Sequence, residues 1–413
     1  MTKPKETPRI AELHRRLEEG NNDFRLDKNT VCIFSAAAAK LTNKKNFENL
    51  TLPDRLIDLI RNKSSAPVSW QEIRTLWIQQ TKLMSEPKQL KKMYGFMQLK
   101  LQKEAGKRLD LVQLIHDLIA TSLLPLLFAN ATVRQYQILE QDQQNKRDFL
   151  LDLEQVPQRK RDKLKSAYHS VRATNVFRRE IRLRAQGKTE RQLDFLDSIV
   201  ELLPTLGMDR AADSMAMIHT AVNGPPGAAA ACLVFELVRQ DGWRKTLTEE
   251  LNNLTPEELF RSPLSVAPNT HAFVKETLRM WNVPILMRNA RTSFTVGEHQ
   301  LEEGTNILMS PYFIHRHPEN WENPNEFDPS RWLNKKSPIK PDSYVPFGWS
   351  PKSCIGSQLG LIQLILLSHL LCSRFSILVD DPQSLEVMMA ALPQPIDFYG
   401  ELKELSESEQ HEV

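Results

Sequence analysis

The sequence predicts one mainly α-helical domain with a small β region, and three stretches carry that prediction. Residues 109–131 (LDLVQLIHDLIATSLLPLLFANA) are apolar around much of a helical circumference, as a central bundle helix would be. Residues 357–367 (SQLGLIQLILL) form a second apolar run long enough for a buried helix. Residues 23–34 (DFRLDKNTVCIF) read as two short strands around the turn-like Asp27-Lys28-Asn29, with Ser35 and the alanines after it opening a helix. No Gly/Ser-rich or Pro-rich linker divides the 413 residues. They are read as a polar segment 1–22, a single domain 23–400 and a polar tail 401–413 expected to be disordered.

Composition narrows the function. With 41% hydrophobic and 25% charged residues the chain suits a soluble globular protein with a sizeable core. A formal net charge of +3 is too small a bias to imply nucleic acid. The first twenty residues are charged throughout and hold no signal-peptide core, and nothing later offers ~20 uninterrupted apolar residues for a membrane span. A cytoplasmic location is therefore expected. Cys32, Cys232, Cys354 and Cys372 lack the short paired spacing of a zinc site, and a cytosolic setting argues against disulfides. There is no P-loop, GxGxxG or HExxH.

The chemistry concentrates at 346–356 (PFGWSPKSCIG). Cys354 sits at the entrance of the apolar helix, where unpaired N–H groups and the positive end of the dipole stabilise a thiolate. Lys352 adds a positive charge. A lone cysteine beside an apolar helix ordinarily packs as a small hydrophobe, but here the spacing of Phe347, Ser350, Lys352, Cys354 and Gly356 resembles the haem-binding signature of the cytochrome P-450 superfamily. That resemblance implies a haem b (iron protoporphyrin IX) with the Cys354 thiolate as proximal iron ligand, Phe347 shielding the sulfur, and Gly356 completing the signature. Two positions depart from the usual pattern. Ser350 replaces a glycine, which bears on the tightness of the loop, and Lys352 replaces arginine or histidine, keeping a cation without the planar fork.

Upstream, residues 270–282 (THAFVKETLRMWN) read as an amphipathic helix containing Glu276-x-x-Arg279. It resembles the family's Glu-x-x-Arg, and Asp328-Pro329-Ser330-Arg331-Trp332 resembles the segment whose arginine completes a buried Glu-Arg-Arg cluster. By that likeness Glu276, Arg279 and Arg331 lock the loop before the cysteine. Residues 284–288, 293–296 and 305–310 are similar to the β region flanking the haem. Arg288 falls where a propionate is bound, and Ile285, Leu286 and Met287 wall the substrate pocket. Trp70 and Arg74, an i,i+4 pair in the basic helical sequence 70–98, are spaced like the family's other propionate ligands. His116 is read as a packed core histidine, and His315 and His317 are not assigned as ligands. The Lys-, Arg- and Gln-rich stretch 141–186 is read as a solvated helical surface.

The resemblance also marks a departure. Val222-Asn223-Gly224-Pro225-Pro226-Gly227 lies where ordinary monooxygenases carry an acid and an alcohol in their long distal helix, groups that organise proton delivery during oxygen activation. Neither is present, and two prolines inside a helix are expected to kink it. Asn223 is the candidate polar contact over the iron, with Thr220 and His219 in reserve; the competing reading has Asn223 capping the broken helix. The function implied is oxidation of an apolar small molecule, in specialised natural-product metabolism, with electrons from a separate ferredoxin- or flavodoxin-type donor. The alternatives are a partner-independent isomerase or dehydratase acting on a hydroperoxide or similarly activated substrate, and a catalytically silent haem-binding partner.

Overall fold

The structure, a computed structural model, describes residues 4–20, 22–46, 49–51, 70–150, 159–334 and 339–406. Helices dominate and the strands are short, as the sequence predicts, and the chain divides into two compact units. One unit comprises Met1–Asp58, Ala272–Cys354 and Glu386–Ile396; the other comprises Leu59–His271, Ile355–Leu385 and Asp397–Val413.

The first unit is organised by a five-stranded sheet. The predicted hairpin forms from Asp23–Asp27 and Thr30–Ile33, its turn closed by the Asn29 N–H donating to the Asp27 carboxylate at 2.7 Å. Thr30–Ile33 then pairs in parallel with Asn306–Met309, which pairs antiparallel with Leu286–Ala290, itself edged by Leu50–Thr51. Thr30–Ile33 is buried along its whole length, as a strand covered on both faces must be. Val31, Ile33, Ile307 and Met309 join Val345 and Trp349 in one apolar core.

Residues 1–22, set apart above as a polar segment, include elements built into this unit. Lys5–Glu6 pairs in parallel with Glu386–Met389, and the helix Pro8–Glu18 buries Ile10 and Leu13. Two apolar residues at i,i+3 suffice to seat one face of a charged helix. The other end differs too. Tyr399–Glu404 is a strand between Phe375–Leu378 and Arg108–Asp110, with Leu402 and Leu405 buried, so order passes residue 400; residues 407–413 lie outside the described residues.

In the second unit the helix Leu111–Leu127 is capped by the Asp110 carboxylate accepting from the Gln113 N–H at 3.0 Å. Thirteen of its residues are buried, so the predicted all-round apolarity reflects a central position. The basic stretch 70–98 is two helices, Trp70–Met84 and Pro87–Glu104, because Pro87 takes the first turn of the second. Residues 141–186 are less solvated than predicted: Asp142, Gln143, Arg147, Glu180 and Arg184 are buried. The helix Ser357–Ser373 follows Cys354 with Gly356 at its N-cap.

Pro225 and Pro226 do not kink a helix. The helix Leu203–Ala221 ends, 222–224 form a turn, and the prolines occupy the first positions of a new helix, Pro225–Arg239, with Gly224 at the N-cap. At those positions an N–H has no intrahelical acceptor, so proline's missing donor costs nothing. The span Leu203–Arg239 is long and apolar enough by composition to cross a membrane, but 72% of its most apolar window is buried inside the protein.

Gly227, in the first turn of the new helix, packs against the imidazole of buried His116. A Cβ there would come within 2.3 Å of Nδ1. Gly227→Ala should therefore lower stability by about 1–3 kcal/mol, read as a fall in the urea midpoint with the slope unchanged.

Candidate active site

The loop that carries Cys354 is held from a buried charge cluster in the same unit. Glu276 and Arg279, both fully buried, pair through two hydrogen bonds of 2.8 and 2.9 Å. Arg279 spends its remaining donors on the carbonyls of His315 (2.8 Å), Pro324 (2.7 Å) and Glu326 (2.8 Å). Glu276 also accepts from Arg331 Nε at 3.0 Å, Trp332 Nε1 at 3.0 Å and the Asp328 N–H at 2.9 Å. The Glu-Arg-Arg cluster implied by the resemblance therefore forms, and every carboxylate oxygen in it is satisfied.

His315 relays this rigidity to the loop. Its Nδ1 lies 3.1 Å from the Arg279 carbonyl, and its Nε2 accepts the Val345 N–H at 2.8 Å. That pairing fixes the tautomer, with the proton on Nδ1. The Val345 carbonyl then accepts from the Gly348 N–H at 3.0 Å, and the Phe347 carbonyl accepts from the Cys354 N–H at 2.8 Å. Asn282 adds a bond from Nδ2 to the Pro346 carbonyl at 3.2 Å, and Trp349 anchors the loop in the core. The left-handed residue in the loop is Gly348, φ 73°, not Ser350. Serine in place of the usual glycine is thus accommodated without backbone strain.

Cys354 is exposed, whereas Cys32, Cys232 and Cys372 are buried. Burial pushes the thiols of Cys32 and Cys372 up to about 12 and that of Cys232 well above its ordinary value, which disfavours the thiolate a metal needs. Lys352 donates to the Leu50 carbonyl. Phe347 is half-buried.

Arg288 supplies the test of fit for a haem. It is 8% exposed and lies in the strand Leu286–Ala290, at the inner position facing Ile307. Among the described residues its side chain makes one hydrogen bond, to the Met287 carbonyl at 2.9 Å, and its Nε has no partner, while burial alone pulls its pKa down. A buried guanidinium without a carboxylate is costly unless an anion arrives. A propionate meets that need, so the residues present fit the group the signature implies.

In the second unit, Arg74 is half-buried in its helix, and the Trp70 side chain lies outside the described residues. Asn223 is fully buried, its Nδ2 donating to the Gln143 carbonyl at 2.7 Å, and it does not cap the following helix, whose N-cap is Gly224. His116 Nδ1 lies 3.4 Å from the Asn223 carbonyl, and burial pushes its pKa down to about 4, as befits a packed core histidine. Thr220 Oγ1 accepts from Lys146 Nζ at 2.8 Å and donates to the Ala216 carbonyl at 2.9 Å. Lys146 in turn donates to Asp142 at 2.6 Å, and Ser170 donates to the same carboxylate at 3.0 Å. Burial raises the Asp142 pKa, but neighbouring His219 and Lys146 outweigh it and bring it to about 2. His219 Nδ1 approaches Asp142 to 3.4 Å without a hydrogen bond's alignment, and burial lowers its pKa.

Sequence reasoning missed His315 and Asn282 as loop supports, and Asp142 and Lys146 as the partners of Thr220. The basic stretch hid the last two, and only the i,i+4 spacing of Asp142 and Lys146 hints at a pair.

Two outcomes follow for the loop support. Glu276→Ala strands Arg279 as an uncompensated buried charge and should cost about 3–5 kcal/mol, seen as loss of soluble protein or a large drop in melting temperature. His315, pushed down to about 3 by burial and then by the Arg279 charge, titrates near 6.5 once unfolded. Between those values only the unfolded chain binds the proton, so the stability His315 contributes is whole above about pH 6.5 and is lost as pH falls toward 3. Urea midpoints taken from pH 7 to pH 4.5 should decline, and His315→Gln should flatten that decline while lowering the midpoint at pH 7.

A family model for cytochrome P-450 matches residues 39–397. The mitochondrial 1,25-dihydroxyvitamin D(3) 24-hydroxylase of Rattus norvegicus is 26% identical over 168 residues, 40% of this chain and 32% of that protein. Cytochrome P-450 4A10 of Mus musculus is 28% identical over 213 residues, 50% of this chain and 42% of that protein. The chain thus spans less than half the length of these relatives in either match. A solved zebrafish cytochrome P-450 with abiraterone has a TM-score of 0.78 at 18% identity, covering 97% of this chain and 100% of that one. With the family match spanning most of its length and the fold shared, the chain belongs to the cytochrome P-450 family, whose members bind haem b.

Proposed function

We propose that this chain is a soluble, cytoplasmic oxidase or monooxygenase of apolar small molecules in specialised metabolism, its electrons coming from a separate ferredoxin- or flavodoxin-type carrier. One observation carries this reading: in a single unit, an exposed Cys354 on a braced loop and a buried Arg288 that, among the described residues, lacks a carboxylate. Haem, when bound, supplies the oxidative chemistry, and the protein supplies binding, orientation and electrostatics. Cys354 would ligate the iron. Arg288 and Lys352, with Arg74 and Trp70, would hold the propionates, and Phe347 would shield the sulfur.

Proton supply is assigned to Thr220 in preference to Asn223. Thr220 carries a hydroxyl hydrogen-bonded to the Lys146 ammonium, which rests on buried Asp142. Thr220 and Asn223 both donate to a backbone carbonyl, but only Thr220 also accepts from an ionisable group, and a carboxamide does not itself ionise near neutral pH. Gly224, Pro225 and Pro226 offer no side-chain proton. That deficit also supports the second reading, an isomerase or dehydratase whose hydroperoxide substrate arrives already activated.

Haem-loaded protein, reduced under carbon monoxide, should give the absorption band of thiolate ligation, and Cys354→Ser should abolish it. An unchanged spectrum in that variant would remove Cys354 as ligand. Product formed only with NADPH and a surrogate ferredoxin system supports the oxidase; turnover of a hydroperoxide without reductant selects the isomerase. In the oxidase case Thr220→Val should cut kcat by about a hundredfold with substrate affinity retained, whereas Asn223→Ala should act mainly on stability.

A further inference from the structure

The second unit also contains a groove of about 750 Å³ that plays no part in the reading above. One wall is the start of the helix Val133–Leu150, with Arg134, Gln135 and Ile138; the other is the helix Lys160–Ala185 from its middle onward, with Arg172, Val176, Arg179 and Leu183. We propose that this groove binds a phosphate-bearing small molecule of nucleotide size, through Arg134, Arg172 and Arg179.

Its floor is rigid. Arg184, buried, holds Asp194 through bonds of 2.7 and 2.9 Å, Asp197 at 2.8 Å and Glu180 at 3.1 Å. Asp194, fully buried, accepts the Ala129 N–H at 2.8 Å and so ties the loop that begins the groove to the same cluster. Arg184 therefore has no charge to spare. The other three arginines differ: among the described residues none of them has a carboxylate partner, and Arg172 only lies over the Tyr168 ring, 5.3 Å from its centroid. The lining carboxylates are Glu180, committed to Arg184 and Thr189, and Glu190. The cations thus outnumber the carboxylates free to oppose them. Guanidinium forks match phosphate oxygens bidentately, and Ile138, Val176 and Leu183 give an apolar surface for the rest of the ligand. The volume lies within the range of small-molecule sites, about 300–1,000 Å³.

The test is calorimetric titration of the full-length protein with ATP and with inorganic pyrophosphate. ATP is expected to bind saturably at one site, more tightly than pyrophosphate, which lacks the apolar part. Arg134→Gln combined with Arg179→Gln, both exposed positions, should weaken ATP by about tenfold or more and leave the melting temperature unchanged. Lys88→Gln combined with Lys92→Gln, on the exposed face of Pro87–Glu104, should change affinity less than about twofold. Absence of saturable binding, or equal loss in the two double variants, would overturn the proposal. So would displacement of ATP by polyglutamate at matching affinity, which would assign the groove to an acidic protein segment. Because the readout is binding, it stands or falls independently of the oxidase assays.

Discussion

Within the first unit, the conformation of the cysteine loop depends on the buried pair Glu276–Arg279. An ion pair removed from water is poor evidence of net stabilisation, since desolvation offsets most of its attraction. Here its value is positional. Arg279 presents a planar fork whose donors are all spent, two on Glu276 and the rest on three backbone carbonyls between His315 and Glu326. Those carbonyls cannot move without leaving a buried charge unsatisfied. His315 is thereby fixed, and through Val345 it fixes the turn that presents Cys354. Rigidity of this kind is what a metal ligand on a loop requires, because a loop has no ladder of its own to hold it.

Three buried arginines show how the structure distinguishes scaffold from site. Arg279 is matched by Glu276, and Arg184 by Asp194, Asp197 and Glu180. Arg288 is buried too, but among the described residues its side chain has a single backbone carbonyl. It also sits on an interior strand, paired with Ile307 in register, where the main chain is held along its length. A fixed cation without its counter-ion is a scaffold feature only if something else completes it. That is the argument for an anionic group of the cofactor at this position, and it is independent of the cysteine spacing.

The parts legible in the sequence were those whose partners lie close along the chain or whose residue type is scarce. Glu276 and Arg279 are three apart on one helix, and Cys354 stands immediately before an apolar run. His315 was not legible, because its two partners are backbone atoms 36 and 30 residues away, and backbone acceptors leave no mark on the sequence. The place of segment 4–18 in the fold is hidden for a similar reason: its strand pairs with residues more than 380 positions later, and a helix with two buried apolar side chains reads as polar. Asp142 and Lys146 were lost in a stretch whose charge suggested solvent, although both face Thr220 and its neighbours.

The prolines, expected from the sequence to kink a helix, mark the start of one. That change alters the chemistry available at 219–224. A continuous helix would keep its carbonyls bonded along one element. A helix that ends at Ala221 instead leaves His219, Thr220 and Asn223 near its terminus and against one neighbouring helix: Asn223 bonds to Gln143, Thr220 bonds to Lys146, and His219 lies beside Asp142. All three contacts fall on Val133–Leu150. Lys146 is 19% exposed at its side chain while Asp142 is 1% exposed, so the pair runs from the rim of the unit into its interior. On the proposed reading, the ionisable group that serves the reaction has moved to that neighbouring helix, and the hydroxyl of Thr220 is what connects it to the break.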